Sequence, residues 1–269
     1  MTTYALGRTP QEYERLRAQA RVWEAATGRL LDRVGLAVGA RCLDAGCGPG
    51  ETMRLMAHRV GPAGEVVGLD VDADLAAMTE AMLRGAGHPQ CRTQARDLTA
   101  EEPVPGGPYD LVFARLLLFH LPQRVAVLRR LWDAVAPGGH LVLQDYDLRT
   151  TSVQPTLAST EETVRVLTGA FGAVGCDVQA GARLPYLMAQ AGVGAPDGTD
   201  VAGRLEPLGT AQAVLEQTFR SVLPAALAHG ITSQDEAEGT IAALHRDAAS
   251  FADRPVLWPL LIGAWKRKA

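Results

Sequence analysis

Lysine is nearly absent from the 269 residues: only Lys266 and Lys268 stand beside 24 arginines. We read this, with the abundant alanine and glycine, as the mark of GC-rich coding rather than of mechanism. Basic residues number 26 and acidic ones 30, a net charge of −4. That excludes a broad basic footprint for nucleic acid and leaves room only for a local patch. Cysteine is scarce as well. Cys42, Cys47, Cys91 and Cys176 have no CxxC spacing, which excludes a zinc knuckle or a dithiol redox pair of that type. Cys42 and Cys47 lie in or beside an apolar strand pattern, where a reduced, buried thiol is expected. No stretch approaches the ~20 uninterrupted apolar residues of a membrane helix. The first 19 residues contain no apolar run fit for a signal peptide. A soluble, cytosolic protein is the expectation. His58, His88, His140, His229 and His245 show no metal-ligand spacing.

What is present is ordinary globular composition, 47% hydrophobic and 21% charged. The length suits one large domain, or a domain with a helical cap. Residues 9–34 read as helical: Thr9 caps, Pro10 takes the first helical position, and Leu16, Ala20, Trp23, Leu30, Leu31 and Val34 carry an apolar face. Strands are predicted at 41–45, 65–70, 91–95, 109–114 and 140–145, with helices at about 51–60, 72–85 and 123–135 between them. The alternation predicts an open, mostly parallel α/β sheet, doubly wound, with helices on both faces. Later helices are predicted at 160–172, 184–191, 211–228 and 234–252. Strands near 200–208 and 258–265 would bring the sheet to seven. Residues 1–36 form an expected N-terminal helical lid, and residues 37–269 the main domain with a helical insert at about 211–254. Lys266-Arg267-Lys268 reads as a solvated tail.

The informative segment is Leu43-Asp-Ala-Gly-Cys-Gly-Pro-Gly50, an apolar strand running into three glycines and then a helix. Glycine lets the backbone turn sharply and lets a ligand approach it closely. The dinucleotide G-x-G-x-x-G pattern fails in either register, at Glu51 or at Met53, and no P-loop Gly-Lys-Ser/Thr follows. The pattern that does fit is Asp-x-Gly-x-Gly-x-Gly, on Asp44, Gly46, Gly48 and Gly50. In it the sequence resembles the class I S-adenosylmethionine-dependent methyltransferases of small-molecule type. Tyr109-Asp-Leu-Val-Phe-Ala-Arg115 and Pro137-Gly-Gly-His-Leu-Val-Leu143 resemble the same family's fourth and fifth strands. The resemblance covers residues 38–150 strongly and the closing strand weakly. The lead-in, Tyr4-Ala-Leu-Gly7 with Glu12, Arg15, Leu16 and Gln19, is similar to a segment that folds over the cofactor. Helix packing and surface exposure explain those residues equally well.

The resemblance implies S-adenosyl-L-methionine as cofactor and assigns residues to it. Asp44 would hold the ammonium of the methionine tail, and backbone from Ala45, Gly46, Cys47, Gly48 and Gly50 would line that tail. Asp70, which ends the second strand 26 residues after Asp44, would accept the ribose hydroxyls, with Val71 beside it. Asp97 would accept from the adenine amino group, and the Leu98 amide would meet the ring. Arg115 either meets the cofactor carboxylate or pairs with an acid.

Methyl transfer from a sulfonium requires alignment, water exclusion and, for some acceptors, a base. His120, just past the fourth strand, is a candidate base; ordering the loop or touching the cofactor is the alternative. Tyr146 is the second catalytic candidate. Asp145, Tyr146 and Asp147 either contact substrate or cap the next segment. Tyr4, Tyr13, Phe171 and Tyr186 would line an apolar pocket if the terminal helices form a lid, and are otherwise core. The expected acceptor is a small organic molecule, methylated on O, N or C, in a natural-product setting. No metal, nucleic acid or membrane is expected, and a homodimer is compatible with the sequence. Two rivals stand beside this reading: a protein that uses the cofactor for cyclisation or decarboxylation, and a non-catalytic binding module.

Overall fold

The computed structural model describes residues 10–269, without the side chains at 10–12 and 19. Tyr4, Gly7, Thr9, and the side chains of Glu12 and Gln19 therefore lie outside the described residues. The described residues begin with helices α1 (Pro10–Val22) and α2 (Glu24–Arg33). There follow β1 (Arg41–Ala45), α3 (Glu51–Val60), β2 (Glu65–Asp70), α4 (Ala73–Gly85), β3 (Cys91–Ala95), β4 (Tyr109–Arg115), α5 (Arg124–Asp133) and β5 (Val135–Asp147). The second half comprises β6 (Ser152–Val153), α6 (Ala158–Ala173), α7 (Ala180–Gln190), β7 (Gly198–Ala202), β8 (Leu205–Pro207), α8 (Leu208–Ala228), α9 (Gln234–Ser250), β9 (Pro255–Leu257) and β10 (Leu260–Arg267).

Seven strands form one sheet in the order β3-β2-β1-β4-β5-β10-β7. β1 to β5 pair in parallel, and β10 runs antiparallel to both β5 and β7. The central strands are apolar on both sides because both faces are covered. Leu43, Ala45, Val112 and Leu141 face one layer with Val127, Leu128, Leu131 of α5 and Leu184, Met188 of α7. Cys42, Leu111, Phe113 and Val142 face the other with Leu30, Leu31 of α2 and Met53, Met56, Val60 of α3. All four cysteines are free thiols, and three of them are buried.

Strand parity then positions polar groups. Asp44 shares a face with Cys42, Arg115 with Phe113, and Gln144 and Tyr146 with Val142. All four thus project from the α2/α3 face, where β1, β4 and β5 lie side by side and the order of strands reverses between β1 and β4. That reversal is where open α/β sheets bind ligands.

Several elements differ from the sequence expectation. The first helical stretch breaks at Trp23, whose ring is buried edge-on to Tyr146 with centroids 6.0 Å apart. Of the expected lid over residues 1–36, α2 belongs to the covering layer: Leu30 and Leu31 are fully buried, and each such side chain stabilises the fold by about 1.5–3 kcal/mol. α1 is tied beside the end of β2 by the bond from Tyr13 to Asp72. β5 starts at Val135, before Pro137-Gly-Gly139, because pairing resumes past an irregularity between Tyr109 and Leu111. The region around the expected insert is larger too: α6 packs with α8 and α9 through Val166, Ala170, Phe171, Phe219, Val222 and Ala237. A small sheet, β6-β9-β8, lies beside it. Lys266-Arg267-Lys268 is not a free tail. Lys266 pairs with Asp197 at 2.7 Å, Arg267 ends β10, and the Lys268 ammonium donates to the carbonyls of Trp132 and Val135 at 2.9 and 2.8 Å. It thereby satisfies the carboxyl end of α5. No described helix is long and apolar enough to cross a membrane.

Candidate functional site

The glycine loop leaves β1 after Ala45 and is held by its neighbours' backbone and side chains. The Gly46 and Cys47 amides donate to the Leu69 carbonyl at 2.8 and 2.9 Å. The Gly48 amide donates to the Asp70 carboxylate at 2.8 Å, and Thr79 on α4 donates to the Gly48 carbonyl at 2.8 Å. Gly50 has φ +79°, and a Cβ there would sit 2.5 Å from the Thr79 methyl. Gly48 has φ +49°, and a Cβ there would meet nothing within 4 Å. One glycine is thus required for packing, and the other leaves open space above the loop.

Asp44 is 2% exposed. Burial pushes its carboxyl to about 7, a nearby Asp70 adds to this, and Arg115 and the Met53 amide oppose it. Its Oδ2 is buried with no hydrogen-bond partner among the described residues. A buried oxygen in that state costs about 1–3 kcal/mol unless something satisfies it. Asp70 accepts the Gly48 and Asp72 amides, the latter at 3.0 Å, and burial raises its carboxyl above the usual range. Asp72 caps α4 through the Leu75 amide at 3.1 Å and accepts the Tyr13 hydroxyl at 2.8 Å. This bond fastens α1 over the end of β2. Val71 between them is 52% exposed, at the surface of this edge.

Asp97 lies just past β3 in an exposed turn. Its Oδ1 accepts the amide and hydroxyl of Thr99 at 2.8 and 2.6 Å, which holds its carboxyl below the usual range. Leu98, half-buried, accepts from Arg130 at 2.6 Å through its carbonyl. Asp44, Asp70 and Asp97 therefore mark the ends of three adjacent strands. The Cys47 side chain points inward: a Cβ on Gly68 would meet its sulfur at 2.8 Å, and burial pushes the thiol well up.

Arg115 ends β4 and faces Gln144 across the β4/β5 register. Burial lowers its pKa, while Tyr146, Asp44 and Glu51 counter that. Its guanidinium donates to the Thr27 hydroxyl at 3.3 Å, and Thr27 donates to the Gln144 side-chain oxygen at 2.7 Å. Among the described residues no acid lies within ion-pair distance of Arg115. Tyr146 is buried beside Trp23, within electrostatic reach of this guanidinium.

His120 closes a 3-10 turn, Leu118–His120. Its ring packs against Phe119 and Phe171, with centroids 4.8 and 6.4 Å away, and Nδ1 is 3.8 Å from Cys176 Sγ. Burial, then the charge of Arg15, lowers its pKa to about 4. The ring is neutral at physiological pH. The turn hangs from Asp145, whose carboxylate accepts the Phe119 and Tyr146 amides at 2.9 and 3.0 Å. Asp145 faces away from Arg115, and Asp147 caps the next turn through Arg149. Both acids thus accept backbone amides, Asp145 those of Phe119 and Tyr146 and Asp147 that of Arg149 in the turn after β5.

The expected aromatic wall is only partly assembled. Phe171 packs on Phe119, but Tyr186 is 63% exposed beside α5, because its helix buries Leu184 and Leu187 instead. Sequence reading missed Thr27, Thr79 and Asp72. Thr27 and Thr79 sit in unremarkable helical contexts, whereas Gln144, polar inside an apolar strand, carried a legible signal. No group of three or more metal-ligating side chains occurs among the described residues.

A family model described as a methyltransferase domain matches residues 13–188. A trans-aconitate 2-methyltransferase from Variovorax paradoxus is 39% identical over 122 residues, 45% of this chain and 44% of that one. The methyltransferase str3 of Strobilurus tenacellus is 33% identical over 147 residues, 54% of this chain and 50% of that one. The chain thus spans about half the length of the curated relatives it matches. Among solved structures, a putative methyltransferase from Bacillus halodurans C-125 superimposes with TM-score 0.61 at 14% identity, covering 91% of this chain and 99% of that one. The [4+2]-cyclase SpnF aligns with TM-score 0.51 at 18% identity, over 91% and 81%. At those identities the likeness is one of fold.

Proposed function

This chain belongs to the methyltransferase-domain family, and we propose that it binds S-adenosyl-L-methionine and transfers the methyl group to a small organic acceptor. The observation that carries the reading is the pair formed by Asp44 and Arg115 at the ends of adjacent strands. One is a buried carboxyl group with an unpartnered oxygen; the other is a guanidinium with no acid within ion-pair distance among the described residues. Such a pair suits a zwitterion, whose ammonium satisfies Asp44 and whose carboxylate satisfies Arg115. The open space above Gly48 fits the tail between them. Asp70, already holding the loop through Gly48, keeps lone pairs for the ribose hydroxyls. Asp97 and the Leu98 amide extend the row to the adenine.

When bound, the cofactor supplies a methyl carbon on a sulfonium, a good leaving group. The chain's residues align and enclose. α1, fastened by Tyr13 to Asp72, covers the ribose side as a lid. The turn carrying His120 and the Tyr146 side chain approach from the acceptor side, and we assign them the catalytic places. His120, neutral, takes an acceptor proton or hydrogen-bonds to it. The relatives' printed name makes trans-aconitate the first acceptor to try, and phenols and amines the next.

The test is incubation with methyl-labelled cofactor and these acceptors, alongside calorimetry with S-adenosylhomocysteine. Label in the acceptor supports the reading. Turnover of an acceptor without label would favour the use of the cofactor for another reaction. Asp70→Ala is expected to weaken S-adenosylhomocysteine binding by about 1.5–3 kcal/mol; unchanged affinity removes Asp70 from the site.

A further inference from the structure

We propose that Thr27, together with Gln144, is a positioning residue that aims the Arg115 guanidinium at the carboxylate of the cofactor's amino-acid tail. This rests on the reading of Arg115 given above. Thr27 belongs to α2, outside the strand-and-loop segments that define the cofactor half, and it is fully buried. Its hydroxyl has one proton, and that proton goes to the Gln144 oxygen at 2.7 Å. Its lone pairs are therefore turned to Arg115, which donates to it at 3.3 Å.

Gln144 is 1% exposed and stands opposite Arg115 in the strand register, so its backbone is fixed by the sheet. Its carbonyl also accepts the Leu116 amide at 2.8 Å, immediately after Arg115. Leu116 has φ +52°, and the chain turns away from the sheet there. The guanidinium thus leaves β4 at the last residue before the turn, and one of its five donors meets a hydroxyl that is itself tied to the buried Gln144 side chain. A long, flexible side chain held this way loses less freedom on meeting a carboxylate. Asp44 and Arg115 come from neighbouring strands, but the third member comes from the helix that precedes the sheet. α2 therefore has a part in cofactor binding besides covering the core.

The experiment compares two ligands on the full chain: S-adenosylhomocysteine, and 5′-methylthioadenosine, which lacks the amino and carboxylate groups. Thr27→Val removes the hydroxyl and keeps the shape. It is expected to weaken S-adenosylhomocysteine about fivefold to thirtyfold, as for one lost oriented hydrogen bond, and to leave 5′-methylthioadenosine within about twofold. Thr27→Ser restores the affinity, and Gln144→Met repeats the selective loss. Arg115→Gln, tested alone, is expected to be selective in the same direction, and adding Thr27→Val to it should change nothing further. An equal loss for both ligands in Thr27→Val, or no loss for either, overturns the positioning role. If Arg115→Gln itself fails to discriminate the ligands, the reading of Arg115 falls, and with it this proposal.

Discussion

Asp145 Oδ2 accepts the Phe119 amide at 2.9 Å, so a carboxylate on β5 suspends the turn that carries His120. Its other oxygen takes the Tyr146 amide. Asp145→Ala would leave two buried amides without acceptors, and a loss of about 2–5 kcal/mol in unfolding free energy is expected. The pH dependence follows from burial, which raises this carboxyl to about 7. A raised folded pKa contributes stability below the unfolded value, near 4, that is lost as pH rises through 7. The melting-temperature gap between wild type and Asp145→Asn should therefore be larger at pH 5.5 than at pH 8.

Asp44 offers a second pH signature, in binding. An ammonium ligand prefers its ionised form, and burial holds the free carboxyl near 7. Affinity for S-adenosylhomocysteine should rise with pH up to about 7, with a slope approaching tenfold per unit below it, and then level off. Asp44→Asn should lower the affinity at pH 8 by about tenfold to a hundredfold and flatten the curve. Calorimetry from pH 5.5 to 8.5 reads both.

The two loop glycines should separate stability from binding. In Gly50→Ala the new methyl meets Thr79 at 2.5 Å and Leu83 at 3.1 Å, at a positive φ. A loss of roughly 2–4 kcal/mol in stability is expected. Gly48→Ala meets nothing, so its fold should lose only about 1–2 kcal/mol of backbone strain. Its methyl occupies the open space above the loop, and S-adenosylhomocysteine affinity should fall more than tenfold.

His120→Ala should leave S-adenosylhomocysteine affinity within a few-fold and lower turnover by ~10²–10⁴ if the imidazole takes the proton. Because burial and Arg15 hold its pKa near 4, the wild-type rate should show no inflection from this group between pH 6 and 8. An unaltered rate in the variant would remove the base.

Lys268→Ala tests the reassigned carboxyl end. The ammonium donates to the carbonyls of Trp132, Asp133 and Val135 and lies 5.3 Å from the Trp132 ring centre. Its loss should cost about 1–2 kcal/mol, read by thermal unfolding, with cofactor affinity unchanged.

Local rules made much of this protein legible in its sequence. Apolar runs bounded by glycine and proline located β1 to β4 and the helices between them, because a parallel sheet covered on both faces admits little else. The resemblance carried by the glycine loop singled out Asp44, Asp70 and Asp97, and the structure sets them at or just past the ends of β1, β2 and β3. The rest was decided by tertiary packing. The first helical stretch breaks at Trp23, whose ring lies buried against Tyr146. Asp145 became a strut once strand parity turned it from the ligand face, and Lys268 became a cap once β10 carried it to α5. The sequence by itself determined the strand, glycine-loop and helix order and which acids fall at successive strand ends, because local spacing sets both. Only the tertiary structure decided how they are held: the register of β4 against β5 and the docking of α2 bring Thr27 to Arg115 across 88 residues of chain, a distance over which no local pattern acts.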